Sequence, residues 1–502
     1  MNYRIRGNAG NRNCGLWIAD CGISSANPKS EIRNPKLRCA VLGIVVTLIG
    51  VSAGFATDLR VATFKVDVTP PTGSPLCDGL VPPVSGVNDP LSARGIVLAA
   101  DDQPPVVLVA FDWVGIGNEG HHAFRQAIAD ACKTPVDRVC IHALHQHDAP
   151  GCDFAADRIA ADVGLGGQMF DVQFARDAVK RVAAAAAAAQ SQLEPVTHVG
   201  YGKGLVEKVA SNRRILGPDG KVQFMRFTAT ADPKIREFPE GTIDPYSRLV
   251  SFWSGDRPIA VLSYYATHPQ SYYYTGKCSA DFVGMGRDQA EAHEDTGLHI
   301  HFNGAGGNIG AGKYNDGAPE NRPVLAGRLA EGMKRAWDAT QKVAVDDLRF
   351  DWATRDVHLP LADWYDEKEQ LAILNDANQQ PITRLRAARE IAWARRATGG
   401  DAITVARLRL GLPSPSGRGQ GEGELGIDIL HLPGELFVEY QLAAQKMRPD
   451  SFVCTAAYGD YGPGYIGTAE AYAEGGYETS QVSRVSPRVE AVLIGAMQEL
   501  LE

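Results

Sequence analysis

The sequence predicts a mixed α/β fold in which β-sheets are layered and flanked by helices. Short apolar runs typical of buried strands alternate with stretches that have a helical period. The apolar runs end in loops rich in glycine, proline and histidine, which break regular structure. At 502 residues, 44% of them hydrophobic and 22% charged, the chain is long enough to bury a large core.

The charge balance excludes one class of function. The formal net charge is −9 at pH 7, whereas nucleic-acid binding requires a basic surface that neutralises phosphates. We therefore expect no nucleic-acid partner.

Residues 1–56 are predicted to be a leader and a signal peptide. A basic stretch that includes Arg33, Lys36 and Arg38 precedes the apolar run at 39–56, which ends in small residues suited to cleavage. The mature protein is then expected to begin near position 57, to form a single domain over 57–502, and to be exported to the periplasm or the cell exterior. An uncleaved membrane anchor is the alternative, since a run of this length can just span a bilayer.

Cysteine spacing gives no metal motif. Three of the nine cysteines precede position 57, which leaves six, at positions 77, 132, 140, 152, 278 and 454. The six occur in no CxxC pair, so a zinc ribbon is excluded. Disulfide pairing and free buried thiols both remain open.

The elements follow in order along the chain. A strand at 106–111, a helix at about 119–132 and a strand at 138–144 form a β-α-β unit. The remaining predictions are an alanine-rich helix at about 174–190, strands at 259–265, 298–302, 427–432 and 451–456, charged helix over about 360–410, and a low-complexity exposed loop at 413–423.

Chemistry-bearing residues follow five of these strands. The strands at 138–144, 259–265, 298–302, 427–432 and 451–456 each run into a loop marked by glycine, proline or histidine. In open α/β sheets, sites form beyond the carboxyl ends of strands. We therefore expect the five loops to converge on one site.

The segment HALHQHDAPG carries the clearest metal signal. His145 and His147 are separated by one residue, so in an extended segment both side chains face one side and reach a single ion. A pair of surface histidines is the alternative. His142 lies inside the preceding strand and is predicted to be packed. Asp148 directly follows the second histidine, which is the wrong spacing for a metallo-β-lactamase motif.

Six segments in order resemble the neutral/alkaline (non-lysosomal) ceramidase family, zinc amidases that cleave the N-acyl bond of ceramide. The segments are FKVDVTPPTG at 64–73, HQHDAPG at 145–151, SNRR at 211–214, THPQS at 267–271, PGE at 433–435 and YIGTAEAYAEGGYE at 465–478. The last of these resembles the family pattern tyrosine for tyrosine, which makes the ordered set specific.

The resemblance implies a zinc site and its surroundings. The implied ligands are His145, His268, Glu435 and Tyr465. The residues implied to act beside the zinc are His147, Tyr477 and Arg213. Zinc would lower the pKa of its bound water and polarise the amide carbonyl, and His147 would protonate the leaving amine. The alternatives are a helix-start carboxylate for Glu435 and packed aromatic side chains for the two tyrosines.

Two departures from the family limit what the resemblance implies. Gly310 or a neighbour stands where the family has a serine, and the chain ends without a counterpart of the family's C-terminal immunoglobulin-like domain. The expected substrate is a small amphiphilic amide, ceramide-like or related, reached by transient contact with a membrane surface. A catalytically silent protein that binds a lipid or glycan, and a zinc hydrolase of an ester or a sugar N-acetyl group, remain alternatives.

Overall fold

Three larger β-sheets carry the fold, in a computed structural model that describes residues 58–294, 296–346, 348–412 and 425–502. The predicted leader at 1–56 and the predicted loop at 413–423 lie outside these residues. Within the described ranges, no helix combines the length and the apolar character needed to cross a membrane.

The helices, in chain order, are α1 Asn118–Cys132, α2 Phe154–Ala161, α3 Val172–Gln190, α4 Pro233–Glu237, α5 Asp281–Glu294, α6 Asn321–Asp338, α7 Glu367–Asn375, α8 Pro381–Gly399, α9 Val438–Met447, α10 Ala469–Glu474 and α11 Val489–Leu501.

The strands, in chain order, are β1 Leu59–Asp67, β2 Gly86–Val87, β3 Ser92–Ala100, β4 Val106–Phe111, β5 Gly115–Ile116, β6 Val139–Ala143, β7 Gly151–Cys152, β8 Glu194–Pro195, β9 His198–Leu205, β10 Ser211–Asn212, β11 Arg214–Leu216, β12 Val222–Met225, β13 Tyr246–Ser254, β14 Arg257–Tyr265, β15 Lys277–Cys278, β16 Leu298–Asn303, β17 Ile309–Gly310, β18 Gln341–Ala344, β19 Arg349–Val357, β20 Ile403–Leu412, β21 Leu425–His431, β22 Glu435–Leu436, β23 Ser451–Ala456 and β24 Tyr465–Ile466.

Sheet I has the strand order β6-β4-β3-β1-β8. Its antiparallel ladders are β4/β3, β3/β1 and β1/β8, whereas β4 and β6 run parallel. Helix α1 connects β4 to β6, which confirms the predicted β-α-β unit. Every residue of β4 is buried, as expected for a continuous apolar run between two covered faces.

Sheets II and III repeat this plan. Sheet II has the order β16-β14-β13-β9-β18 and sheet III the order β19-β20-β21-β23. In sheet II only β14 and β16 are parallel, and α5 connects them; in sheet III only β21 and β23 are parallel, and α9 lies between them in the chain. Each large sheet therefore has one parallel pair, located at one end of its strand order.

The inner faces of the three sheets share one apolar core, to which Leu108 of sheet I, Leu262 of sheet II and Ile429 of sheet III all contribute with no solvent exposure. Helices α1 and α3 cover the outer face of sheet I, α6 packs on sheet II, and α11 packs on sheet III. The predicted class, layered sheets flanked by helices, is confirmed.

One predicted element is wrong in part. Residues 360–410 were expected to be charged helix, and α7 and α8 do form there, but Ile403–Leu412 is the strand β20 between β19 and β21. The segment begins with the β-branched residues Ile403, Thr404 and Val405, and Arg407 and Arg409 then alternate with apolar side chains. That period of two favours a strand over a helix.

The cysteine alternatives are decided in favour of free thiols. The six described cysteines are all unpaired, five of them buried and Cys140 partly buried. Among the described residues, the fold therefore relies on packing and hydrogen bonds rather than on disulfides.

Candidate metal centre

Three of the predicted site residues lie beyond the carboxyl ends of strands in the three parallel pairs. His145 follows β6 of sheet I, His268 follows β14 of sheet II, and Glu435 follows β21 of sheet III. The loop after β16 contacts the backbone at both His268 and Glu435. The expected convergence of these loops is thus what the fold produces.

His145, His268 and Glu435 meet in a buried cluster. The Nε2 atom of His145 lies 3.2 Å from Oε2 of Glu435, and Nε2 of His268 lies 3.1 Å from the same oxygen. The three ligand atoms all lie within 4.8 Å of one another. Ligands in a tetrahedral zinc site, each about 2.0–2.1 Å from the ion, are roughly 3.3 Å apart, so the spacing suits such an ion.

Backbone carbonyls set the tautomer of both imidazoles. Nδ1 of His145 donates to the carbonyl of Val114 at 2.6 Å, and Nδ1 of His268 donates to that of Gly306 at 2.7 Å. A neutral imidazole has only one N–H, so each Nε2 directs a lone pair towards Glu435. Burial lowers the pKa of His268 to about 4, which keeps that ring neutral.

Glu435 is a carboxylate in this setting. Burial alone would raise its pKa, but His145 and His268 outweigh that effect and hold the pKa well below its ordinary value. If a metal ion takes the place of the imidazole protons that lower this pKa, the two Nε2 atoms and the carboxylate oxygen face the ion as three donors. A metal cation is the group that satisfies all three donors, and this donor set suits zinc.

The local backbone makes this approach possible. His145 has φ +75°, in the left-handed region that non-glycine residues rarely adopt. In the loop after β16, a Cβ on Gly307 would lie 2.2 Å from the carbonyl oxygen of Glu435, and one on Gly306 would lie 2.8 Å from the backbone of Thr267. The glycine-rich segment is therefore a turn made for close backbone approach.

Tyr465 completes the predicted ligand set. The short parallel pair of β22 and β24 places Tyr465 opposite Glu435. Its hydroxyl lies 3.0 Å from Nε2 of His268 and accepts a hydrogen bond from Nη1 of Arg213 at 3.2 Å. Burial raises the pKa of Tyr465 well above its ordinary value, although Arg213 opposes that rise. Tyr465 is therefore a neutral phenol beside the cluster.

Arg213 brings a positive charge to the same place. The residue is 4% exposed, and its Nη1 atom lies 3.1 Å from Nε2 of His268. Nε of Arg213 lies 3.2 Å from Oε1 of Glu478, which also pairs with Arg214 at 3.2 Å. Glu478 thus anchors the arginine. Sequence reasoning missed Glu478, although it is the last residue of the tyrosine-containing segment at 465–478.

His147 and Tyr477 lie beside the cluster and line a cavity of about 110 Å³ that reaches it. The ring of His147 is 5.1 Å from that of His145, and its buried Nδ1 has no hydrogen-bond partner within the described ranges. Burial lowers the pKa of His147 well below its ordinary value. Tyr477 is 43% exposed, with its ring 5.8 Å from that of Tyr465.

His145 and His147, which are separated by one residue, do not both belong to the metal cluster. The metal cluster pairs His145 with His268, and His147 is not among its three members. The rings of His145 and His147 do lie close together, with centroids 5.1 Å apart, and both line the cavity.

The other histidine of the motif is packed, as predicted. His142 is 2% exposed, and its ring nitrogens lie 2.9 Å from the carbonyl of Ala457 and 2.9 Å from Nδ1 of His431. Asp148 has a positioning role, because its carboxylate accepts hydrogen bonds from the backbone of Tyr274 and the hydroxyl of Thr275.

Gly310 borders the site. It pairs with Ser211 between β10 and β17, and a Cβ at this position would lie 3.4 Å from the side chain of Arg213. Gly310, which was expected, itself or through a neighbour, to replace a serine, therefore faces the arginine that contacts His268 and Tyr465.

Some proteins of known structure are similar to this chain in fold, but no similarity in sequence was found. No protein-family model matches the chain, and no curated protein matches it in sequence. A ceramidase complexed with C2 is similar in structure, with a TM-score of 0.62 and 15% identity over 88% of this chain and 75% of that one. The neutral ceramidase from Pseudomonas aeruginosa has a TM-score of 0.59 and 17% identity over 88% of this chain and 74% of that one. The resemblance noted from the sequence is confirmed at the level of the fold.

Proposed function

We propose that this chain, which shares its fold with neutral ceramidases, is a metal-dependent hydrolase of N-acyl amide bonds in ceramide-like or related amphiphilic molecules. The observation that carries the proposal is the buried cluster in which the Nε2 atoms of two imidazoles, whose Nδ1 atoms contact backbone carbonyls, lie close to a carboxylate oxygen. A cavity leads to this cluster, so a substrate can reach it.

The residues that would hold the ion are His145, His268 and Glu435, with the phenol of Tyr465 beside them. We propose zinc, because imidazole nitrogen and carboxylate oxygen are among its preferred donors. When bound, zinc supplies Lewis-acid chemistry and lowers the pKa of coordinated water.

The chain's own residues support amide hydrolysis in two ways. Tyr465 and Arg213 are hydrogen-bond donors next to the cluster, suited to stabilise negative charge that develops on the amide oxygen. Glu478 holds Arg213 in that orientation without exposure to solvent. His147 is a neutral imidazole lining the cavity, and its lowered pKa means that a proton it receives passes readily to the leaving nitrogen.

Metal analysis and turnover test the proposal together. Purified protein is expected to contain about one zinc ion per chain and to cleave a fluorogenic N-acyl sphingosine. A chelator should abolish cleavage, and added zinc should restore it. Protein that binds no metal, or that cleaves the amide equally well in chelator, would contradict the proposal.

A pair of histidine variants provides the matched control. His145→Ala is expected to lose both metal and turnover because it removes one of the three clustered donors. His122→Ala changes an exposed histidine of α1 and should retain both. A His145→Ala protein with full metal content would refute the ligand assignment.

A further inference from the structure

The cavity beside the candidate metal centre is small, and six of its seventeen lining residues are charged. Its volume of about 110 Å³ accommodates on the order of ten water molecules, far less than two long alkyl chains require. The charged side chains that line it are Asp78, Arg386, Arg389, Glu390, Glu435 and Arg484. These side chains give the cavity charged partners for a polar group of a substrate.

One of these charged side chains, Arg386, has no ion-pair partner among the residues that the structure describes. Arg389 pairs with Asp78 at 2.8 Å, and Nε of Arg484 lies 2.8 Å from Glu390. Arg386 is exposed on α8, and within the described part of the chain no carboxylate lies within ion-pair distance of its guanidinium. Its charge lies near Tyr477, where it opposes the rise in that side chain's pKa caused by burial.

The charge balance of the lining favours an anionic ligand. The three arginines and the three carboxylates cancel, so the lining has no net charge. A divalent ion at the cluster would therefore leave the cavity with two positive charges. A site with an uncompensated positive field attracts anions, and an unpaired guanidinium matches the geometry of a carboxylate.

We propose that the substrate of this site is an N-acyl amino acid whose carboxylate binds Arg386. This inference rests on the proposed amide hydrolysis and names its substrate class. The acyl chain then lies outside the cavity against exposed aromatic side chains, Phe227, Tyr273 and Tyr477, near the cluster. Hydrolysis breaks the C–N bond, forms a C–O bond with water and delivers a proton to the leaving nitrogen, which gives a fatty acid and a free amino acid.

Two substrates that differ in one charge test the inference. N-dodecanoylglycine and N-dodecanoylglycinamide share the acyl chain and the scissile bond, but only the first has a carboxylate. Zinc-loaded full-length protein should cleave the acid with a kcat/KM about tenfold above that for the amide. The advantage should shrink in high salt, because Arg386 is exposed and its charge is screened.

Arginine variants identify the residue responsible. Arg386→Gln should lower kcat/KM for the acid to about that for the amide and so remove the preference, and Arg386→Glu should reverse the preference. Arg395→Gln is the control on the same helix, because Arg395 is exposed, pairs with Glu367 and does not line the cavity. It should behave like the wild type.

The outcomes separate this inference from the proposed function. If both compounds are cleaved equally well and the Arg386 variants do not change either rate, the inference is overturned, whereas the proposed amide hydrolysis still stands. Cleavage of N-acyl sphingosine alone would do the same. If no amide is cleaved, the proposed function fails, and calorimetry with the same two compounds then tests the anion site. Tighter binding of the acid than of the amide, lost in Arg386→Gln, would support an anion site. Equal binding of the two compounds would overturn the anion site as well.

Discussion

Two backbone carbonyls give the candidate metal centre its chemistry. The carbonyls of Val114 and Gly306 each take the single N–H of a neutral imidazole, so His145 and His268 both offer Nε2 to the same point. Fixing the tautomer through the other ring nitrogen is how metal-binding histidines are commonly oriented. The charge that balances the ion then comes from Glu435.

Removal of that charge gives a prediction at the residue scale. Glu435→Gln replaces a carboxylate with a neutral amide and leaves the volume unchanged, so metal affinity should fall by at least about a hundredfold, since even residues behind the ligands contribute about 10–100-fold. Metal content after dialysis, measured by mass spectrometry, checks this. Hydrolytic activity should fall in parallel.

Glu439→Gln is the control for Glu435→Gln. Glu439 lies nearby at the start of α9 and accepts a hydrogen bond from Nδ2 of Asn308 at 2.8 Å, which a glutamine oxygen can still accept. This variant should keep its metal. A Glu435→Gln protein with undiminished zinc would remove the carboxylate from the ligand set.

At the scale of elements, the site depends on the parallel pairs of the three sheets. Parallel neighbours end at the same edge, so β4 and β6, β14 and β16, and β21 and β23 all deliver loops towards one region. The loop after β16 packs against the segments that carry His268 and Glu435. Its glycines contact the backbone of these segments at positions where a side chain would clash.

Gly307→Ala tests this close approach. The new Cβ would lie 2.2 Å from the carbonyl oxygen of Glu435, so the loop must shift and overpacking should cost about 1–3 kcal/mol of unfolding free energy. Urea denaturation measures the cost. Metal binding should weaken as well, because the displaced backbone supports Glu435.

Gly495→Ala is the matched substitution for Gly307→Ala. A Cβ on Gly495, within α11, meets nothing within 4 Å, and alanine stabilises a helix interior by about 0.5–1 kcal/mol relative to glycine. If the two variants were equally stable, the glycine loop would not require close contact with Glu435.

At the scale of the whole molecule, the core buries histidines as neutral groups away from the candidate site. Burial lowers the pKa of His121 to about 3, of His142 to about 4 and of His301 to about 3. Burial acts on carboxylates in the opposite direction and raises the pKa of Asp153 and Asp281 to about 6. The two groups therefore contribute to pH dependence with opposite signs.

The histidines should make the protein less stable in mild acid. Below about pH 6.5 these histidines become protonated in the unfolded chain, whereas in the folded chain they stay neutral down to about pH 4. The free energy of unfolding therefore falls by about 2 kcal/mol per buried histidine between pH 7 and 5. Asp153 and Asp281 oppose this, because the folded state binds their protons first below about pH 6. The histidine contribution is larger, and urea denaturation across this range should show a net loss.

Two histidine variants assign the pH dependence. His142→Gln should flatten the slope, whereas His122→Gln, at an exposed position of α1, should leave it unchanged. Chelator is kept in every sample so that metal release does not contribute. Stability that is independent of pH between 7 and 5 would show that the buried histidines are protonated at no cost.

The sequence predicted the strands that are apolar throughout but missed several antiparallel partners. Strand β9 is one example, because glycine is read as a turn residue and Gly200, Gly202 and Gly204 lie on one face of β9. A Cβ on Gly202 would lie 2.2 Å from the carbonyl of Ala336 in α6. These glycines let a helix lie against the strand, a reason that only the packed structure contains.

For the site, the sequence by itself determined the residue types and the loops that carry them. It identified four of the residues that meet, His145, His268, Glu435 and Tyr465, from motifs more than 300 residues apart at the extremes. The resemblance of six ordered motifs to the ceramidase family implied this set, and such motifs can be recognised because each is a short local stretch of sequence.

Only the tertiary structure decided which nitrogen each imidazole ring presents and which charged side chain near the cavity is unpaired. The tautomers of the two histidines depend on the carbonyls of Val114 and Gly306. In the described ranges, Arg386 is unpaired because Asp78 pairs with Arg389 and Glu390 pairs with Arg484. The two carbonyls follow strands of the same sheet as the histidines they contact but are 31 and 38 residues away in the chain, and the ion pairs of Asp78 and Glu390 join segments still farther apart. Such contacts are fixed when the sheets pack around their shared core, and no local pattern of residues encodes them.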